Sequence, residues 1–433
     1  MSATALRDEV TDLLQRLIRI DTTNPPGNET AAAELLREYL EASGVACELI
    51  ARTPERANLV ARIPGDGGPS LLFLSHTDVV LADPAEWTVP PFAGELRDDQ
   101  VWGRGALDMK GQVAANAVAI GSLAREGFRP AGDLIFAATA DEEVGAGFGL
   151  EWLCDQHPDA VRCDFAINEG GGERIELNDG RVVYQATAAE KLTAAFTIRV
   201  RGRSGHASLP GIADNALVKA ARLIERLSDF RPQPQLGPEV EGFLRAVVGE
   251  VPPAVEAVER TRALSPPAAD IVEALLAPTF SPTMISASRK KNVIPAVCDV
   301  VVDCRLMPGQ HPEHVEPFLR AILGGDVDYD LLWEEPAGGT RSPLDTQLWA
   351  AVESFVAQEE PGATAAPLCS AGFTDSHWLR TAFGTVAYGF FPSRAMPMEV
   401  ANSLVHSADE RVPVSDLELG VGWLRHAARA VLG

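Results

Sequence analysis

Three short apolar runs, each stopped by histidine or acidic residues, constrain this chain more than any other feature. They are Leu71 to Leu74 in LLFLSHTDVV, Leu134 to Thr139 in DLIFAATADEEVGAGFG, and Phe165 to Ile167 in DFAINEGGG. Runs of this length read as strands buried in a sheet. Between the first two, KGQVAANAVAIGSLAREG sets Val113, Ala117, Ile120 and Ala124 on one helical stripe, with Gly127 as its stop. Strand, helix, strand is the signature of a parallel sheet, so the expected class is α/β, mainly parallel, with the helix 109–126 packed on the sheet.

Open parallel sheets bind ligands outside the carboxyl ends of their strands. His76 and Asp78 follow the first run, Glu142 and Glu143 the second, and Glu169 the third. Asp108 in VWGRGALDMKG precedes the helix, and His406 lies in LVHSADERV. An i, i+2 pair such as His76 and Asp78 can share a face, so that one binds a metal while the other orients it. Each residue alone has an ordinary explanation. A histidine after a strand is commonly structural, paired acids suit a helix start, and aspartate is a favoured N-cap. Recurrence after successive strands argues instead for one shared site.

Together, SHTDVV, GRGALDMKG, ATADEEVGAG, INEGGG and LVHSADERV closely resemble the M20 metallopeptidase family. That family includes aminoacylases, acetylornithine deacetylase, succinyl-diaminopimelate desuccinylase, and several carboxypeptidases and dipeptidases. The resemblance runs from DTTNPPGNE near Asp21 to Val412. It implies a zinc-peptidase-like catalytic domain in which Asp108 bridges two metal ions. His76 and Glu169 would complete one ion's protein ligands, and Glu143 and His406 the other's. By the same resemblance Glu142 is the general base and Asp78 the partner that orients His76. Imidazole and carboxylate donors suit two Zn2+ per chain, and a bridging acid can hold such ions about 3.5–4 Å apart. Co2+ or Mn2+ are admissible in the same donor set. The implied substrate is a small peptide or an N-acyl amino acid, with peptidase and deacylase both open.

The pattern changes near Ala189, where LTAAFTIRVRG alternates as a half-exposed strand and ALVKAARLIERL reads as a helix. Val297 to Leu306 is a further strand, closed by Pro308 and Gly309. An α+β domain at 189–308 is therefore expected, inserted between catalytic segments 1–188 and 309–433. The resemblance makes this insert a lid or dimerisation domain, hence a possible homodimer. It also implies that His206 of RGRSGHASLP stabilises an oxyanion, reaching a neighbouring subunit's site in dimeric members, and that Asn292 of KNVIP and Asn402 contact substrate. Lys191, Arg289 and Arg305 are candidates for holding a substrate carboxylate. Pro232 to Pro282, with PQPQ, VPP and SPP breaking two helical stretches, departs from the family pattern; its ordinary explanation is a surface insertion, and because this part of a lid shapes the pocket it leaves the substrate open. GFTDSHW, with Asp375 and His377, resembles a family loop near the active site to which no role is assigned.

The remaining features bound the function. A chain of 433 residues is expected to form two domains. A formal net charge of −24 argues against nucleic acid, since phosphate contacts need clustered Lys and Arg. The six cysteines show no C-x-x-C pair and read as buried thiols. MSATALRDEV has no signal-peptide pattern and no run approaches about 18 apolar residues, so a cytoplasmic protein without membrane partners is expected. Helices are expected from about Thr4 to before Asp21 and from Thr30 to Ser43. A non-catalytic acidic interaction protein with a structural metal site is the alternative from another class. Structural zinc sites are usually closed by four protein ligands, which this set does not resemble. G-R-G-A at Gly103 lacks a full nucleotide-binding fingerprint.

Overall fold

In a computed structural model describing residues 3–433, the apolar runs form strands Leu71–His76 and Leu134–Thr139, buried along their whole length, and Phe165–Asn168. Alternation divides each strand between two cores. Leu71 and Phe73 face one core, shared with helices Ala3–Ile18, Lys110–Arg125 and Val414–Leu432, while Leu72 and Leu74 face the other, shared with Leu150, Leu153 and Leu379. With both faces apolar, hydrophobicity alone does not choose the register; the polar ends do. Sliding the first strand one residue inward would draw His76 into the cores.

The large sheet runs in the order Ala46–Ala51, Ala57–Ile63, Leu134–Thr139, Leu71–His76, Phe165–Asn168, Val386–Gly389, Val182–Glu190 and Thr364–Ser370, with Arg174–Glu176 paired to Val182–Glu190. Its centre is parallel, as expected: Leu134–Thr139, Leu71–His76, Phe165–Asn168 and Val386–Gly389 all point one way. Antiparallel pairs flank that centre at Ala57–Ile63 and at Val182–Glu190. Because His76 is opposite Thr139 in a parallel pair, the chain leaves both strands at one edge, where the candidate residues follow.

A second sheet, wholly antiparallel, contains Phe196–Arg201, Val297–Leu306, Thr279–Ser286 and Tyr329–Trp333, with short strands at Leu192–Thr193 and Ala337–Gly338. Helices Ala216–Asp229 and Pro312–Leu323 cover one face, so Phe196, Ile198 and Val200 are buried while Arg199 and Arg201 are exposed. The expected insert boundaries, 189–308, do not match the extent of this sheet. Pro308 and Gly309 form a tight reversal rather than an exit, and the chain returns as Pro312–Leu323 and then Tyr329–Trp333.

The segment 232–282 also differs from a surface insertion. Pro238 and Pro266 start helices rather than break them, because proline lacks only an amide hydrogen that the first turn leaves unused. Pro238–Val248 and Pro266–Leu275 both begin this way, with Ala254–Leu264 between them. Their apolar faces, including Phe243, Val272 and Leu275, share a core with Val183, Ala366 and Leu368 of the large sheet. Among the described residues no helix is long and apolar enough to cross a membrane.

Candidate metal centre

At the carboxyl edge of the parallel strands, two clusters share one aspartate: His76, Asp108 and Glu169, and Asp108, Glu143 and His406. Asp108 Oδ1 lies 3.1 Å from His76 Nε2, and its Oδ2 lies 3.1 Å from His406 Nε2. Glu169 Oε2 is 3.8 Å from His76 Nε2, and Glu143 Oε2 is 3.3 Å from His406 Nε2. Donors held about 2.1 Å from a tetrahedral ion stand roughly 3.4 Å apart, so these separations are those of ligand pairs around a common cation. Glu142 belongs to neither cluster; its Oε2 is 4.0 Å from His76 Nε2.

The electrostatics show a site short of positive charge. Burial, followed by the charge of Glu169, pushes the Glu142 carboxyl well above its usual range, and burial also raises Glu169. Hydrogen bonds to Asp108 and Glu143 lift His406 to about 10. His76 is raised well above the usual imidazole value, because its contacts with Asp108 and Asp78 outweigh burial. Glu143 Oε1 is buried without a hydrogen-bond partner. An orphaned carboxylate oxygen in a cluster of two imidazoles and several carboxylates fits a site built for two divalent cations.

Asp78 acts on more than one neighbour. His76 Nδ1 lies 3.0 Å from the Asp78 backbone oxygen and 3.4 Å from its Oδ1, while the carboxylate accepts the backbone amides of Glu142 at 3.2 Å and Glu143 at 3.1 Å. Burial favours protonation of Asp78, yet bonds from His76 and Asn24 hold its pKa below the ordinary value. The carboxylate thus pins both the imidazole and the loop bearing two glutamates.

Behind this layer stand groups to which sequence reasoning assigned no role. Asn24 donates to Asp78 Oδ2 and Asp141 Oδ1, both at 2.9 Å, and Arg56 bridges Glu29 and Asp141. Glu410, fully buried, accepts the backbone amides of Gly105, Leu107 and Asp108, and pairs with Arg104. Asp375 is buried beside the site, accepts from Thr139 at 3.3 Å, and is raised to about 8, with burial the main cause. DTTNPPGNE and GFTDSHW carried the signal for Asn24 and Asp375; nothing local distinguishes Arg56 or Glu410 from solvated charges. His406 occupies left-handed backbone at φ 60°, a conformation costly for a non-glycine residue and typical of functional sites. Gly389 must lack a side chain, because a Cβ there would overlap the Glu169 carbonyl.

Other expected residues lie elsewhere. His206 and Asn292 come together on a two-stranded ribbon, where His206 pairs with Val293 and the Ala207 amide donates to the Asn292 carbonyl at 3.0 Å. Both side chains are exposed, and His206 contacts Ser208 rather than either cluster. Asn402, on helix Met398–Leu404, lines a cavity of about 240 Å3 together with Asp108 and Glu169. Lys191 donates to the Ala277 carbonyl and Arg305 to Asp303 and Thr193, so neither is free for a substrate carboxylate. All six cysteines are unpaired and half-buried or buried, and burial raises Cys163, Cys304 and Cys369 to about 12, which disfavours a nucleophilic thiolate.

The chain is similar to known proteins over most of its length. The family model for Peptidase family M20/M25/M40 matches residues 72–430. The succinyl-diaminopimelate desuccinylase of Rhodospirillum centenum is 36% identical over 225 residues, which span 50% of this chain and 55% of that relative, about half its length. The desuccinylase of Paracoccus denitrificans is 26% identical over 416 residues, covering 94% of each chain. Among solved structures, an M20 family metallo-carboxypeptidase from Sulfolobus solfataricus superposes with a TM-score of 0.73 at 19% identity, covering 98% of this chain and 99% of that one.

Proposed function

The chain belongs to peptidase family M20/M25/M40, a family of metal-dependent hydrolases, and from that premise we propose that it cleaves the amide bond of a small peptide or N-acyl amino acid at a two-metal centre. The observation that carries this reading is Asp108, whose two oxygens each meet a different histidine at 3.1 Å. His76 and Glu169 are assigned to one ion, Glu143 and His406 to the other, and zinc suits these donors, with cobalt or manganese as competitors. Bound there, the ions supply Lewis acidity, polarising the scissile carbonyl and making an attacking water more acidic.

The chain's own residues complete the reaction. Glu142, outside both clusters and with its proton affinity raised by burial, takes a proton from the water and delivers it to the departing nitrogen. Asp78 keeps Nε2 of His76 turned to the metal and holds Glu142 and Glu143 in place. Asp78→Asn is expected to lower metal affinity or kcat/KM by about 10- to 100-fold, measured by metal titration and steady-state assay. An unchanged affinity and rate would remove Asp78 from the mechanism.

Asn402 is assigned to substrate, since it lines the cavity that holds Asp108 and Glu169. We assign residues 192–229 and 279–338 to a lid carrying His206 and Asn292, which would meet substrate on lid closure or across a dimer. The unpaired edge of strand Thr279–Ser286, with Met284 68% and Ile285 51% exposed, favours a homodimer through this sheet.

Zinc-loaded protein should hydrolyse members of a panel of dipeptides and N-acyl amino acids, and lose that activity on chelation. Turnover confined to acylated substrates would sink the peptidase version. No turnover with zinc, cobalt or manganese would sink the proposal.

A further inference from the structure

The helical segment that departs from the expected lid builds one wall of a second cavity beside the metal centre. This cavity, of about 700 Å3, opens between helix Pro266–Leu275, the end of strand Thr364–Ser370, and helix Met398–Leu404. It is continuous with the smaller cavity containing Asp108 and Glu169, because Gly170, Glu173 and Asn402 line both. Resting on the amide-hydrolase reading above, we propose that this cleft is a subsite for one side chain of the substrate and takes an aliphatic chain ending in an amine, not a carboxylate.

Position comes first. Gly170 directly follows Glu169, so a substrate whose carbonyl lies at the shared carboxylate has one flank directed along this wall. Ile271, Leu275, Leu368 and Met398 provide apolar surface for methylene groups. The charged groups are all carboxylates. Glu173, Asp270 and Glu399 line the cleft, and no Lys or Arg is among the residues lining either cavity. Arg262, outside the cleft, pairs with Asp270 at 2.9 Å, whereas Glu399 has no ion pair among the described residues.

Gln185 is an independent indication of the ligand. It lines the cleft at 6% exposure, and its Nε2 donates to Glu173 Oε2 at 2.6 Å, leaving Oε1 buried without a partner. Because a carboxylate only accepts, Glu173 fixes the orientation of the amide, and the orphaned atom is an acceptor awaiting a donor. Leaving such an atom unmet in a closed complex costs about 1–3 kcal/mol, which an ammonium or amine group removes. A carboxylate would instead meet the like charge of Glu173, Asp270 and Glu399 with no Lys or Arg in the lining to offset it. Lys191, a buried cation whose charge acts on the cleft residue Cys369, commits its amine to the Ala277 carbonyl at 2.7 Å.

The test is a comparison of kcat/KM on the zinc-loaded full chain for Ala-Lys, Lys-Ala, Ala-Glu, Glu-Ala, their norleucine counterparts and Ala-Ala, with α-N-acetyl-lysine, α-N-acetyl-glutamate and N-succinyl-alanine alongside. The expected result is a lysine-to-glutamate ratio of at least about tenfold at one position, with norleucine intermediate. Glu399→Lys and Asp270→Lys, both on exposed side chains, should each lower that ratio, and together bring it to one or below. Preference for glutamate or the succinyl compound, or a ratio that neither variant moves, overturns the subsite. Hydrolysis of Ala-Ala without side-chain preference removes the subsite alone; hydrolysis of nothing in the panel removes the amide-hydrolase reading as well.

Discussion

Glu142→Gln is expected to lower kcat by about 10³-fold while leaving two metals bound per chain, the middle of the range for loss of a general base. Glutamine keeps the shape of the side chain but cannot take the proton. Glu169, Glu143 and Asp108 do not replace it, because they belong to the two clusters. Its neighbour should behave differently. Glu143 Oε2 lies 3.3 Å from His406 Nε2 and its Oε1 is orphaned, so Glu143→Ala is expected to reduce metal content from two ions to one. Metal analysis of dialysed protein, paired with kcat for each variant, checks both. If the two variants lose metal alike, or lose turnover alike with metal retained, the division of roles between adjacent glutamates is wrong.

How far this site could be read before the fold was known depends on the range of the interactions. The strands were legible because an apolar run is a local signal, and the positions of His76 and Glu169 follow from where each run stops. The antiparallel flanks of the sheet were not, since strand order depends on contacts distant in the chain. The same holds for charge. Glu29, Arg56 and Asp141 look like surface residues in sequence, and only the fold brings Arg56 to Asp141 at 2.8 Å in a buried pair. His206 and Asn292 were proposed separately, and strand register makes them neighbours. One signal can have two structural outcomes. Pro308–Gly309 marks a turn after which the chain returns to the second sheet, and Pro238 and Pro266 start helices that pack on the large sheet.

Glu410 yields the second large effect, because it joins two ligand loops that are remote in sequence. It lies four residues after His406, and its carboxylate accepts the amides of Leu107 at 2.7 Å and Asp108 at 3.0 Å, with Arg104 at 2.7 Å on the other oxygen. Glu410→Ala would leave Arg104, itself 2% exposed, with an uncompensated buried charge, and would orphan several amides. Breaking a buried pair in this way costs on the order of 3–5 kcal/mol. The urea midpoint of the metal-free protein should fall accordingly. Metal affinity should fall further than instability alone explains, because the backbone of Asp108, the proposed bridge, loses its anchor. Glu410→Gln is not expected to rescue, since its amide nitrogen would face hydrogen-bond donors. Leu36→Ala supplies the control: it is fully buried among the amino-terminal helices and should be destabilising by about 2–5 kcal/mol without touching either loop. Equal metal affinities for Glu410→Ala and Leu36→Ala would reduce Glu410 to a residue of general stability, whereas a selective loss in the former would show that the Asp108 loop is organised from the loop that follows His406.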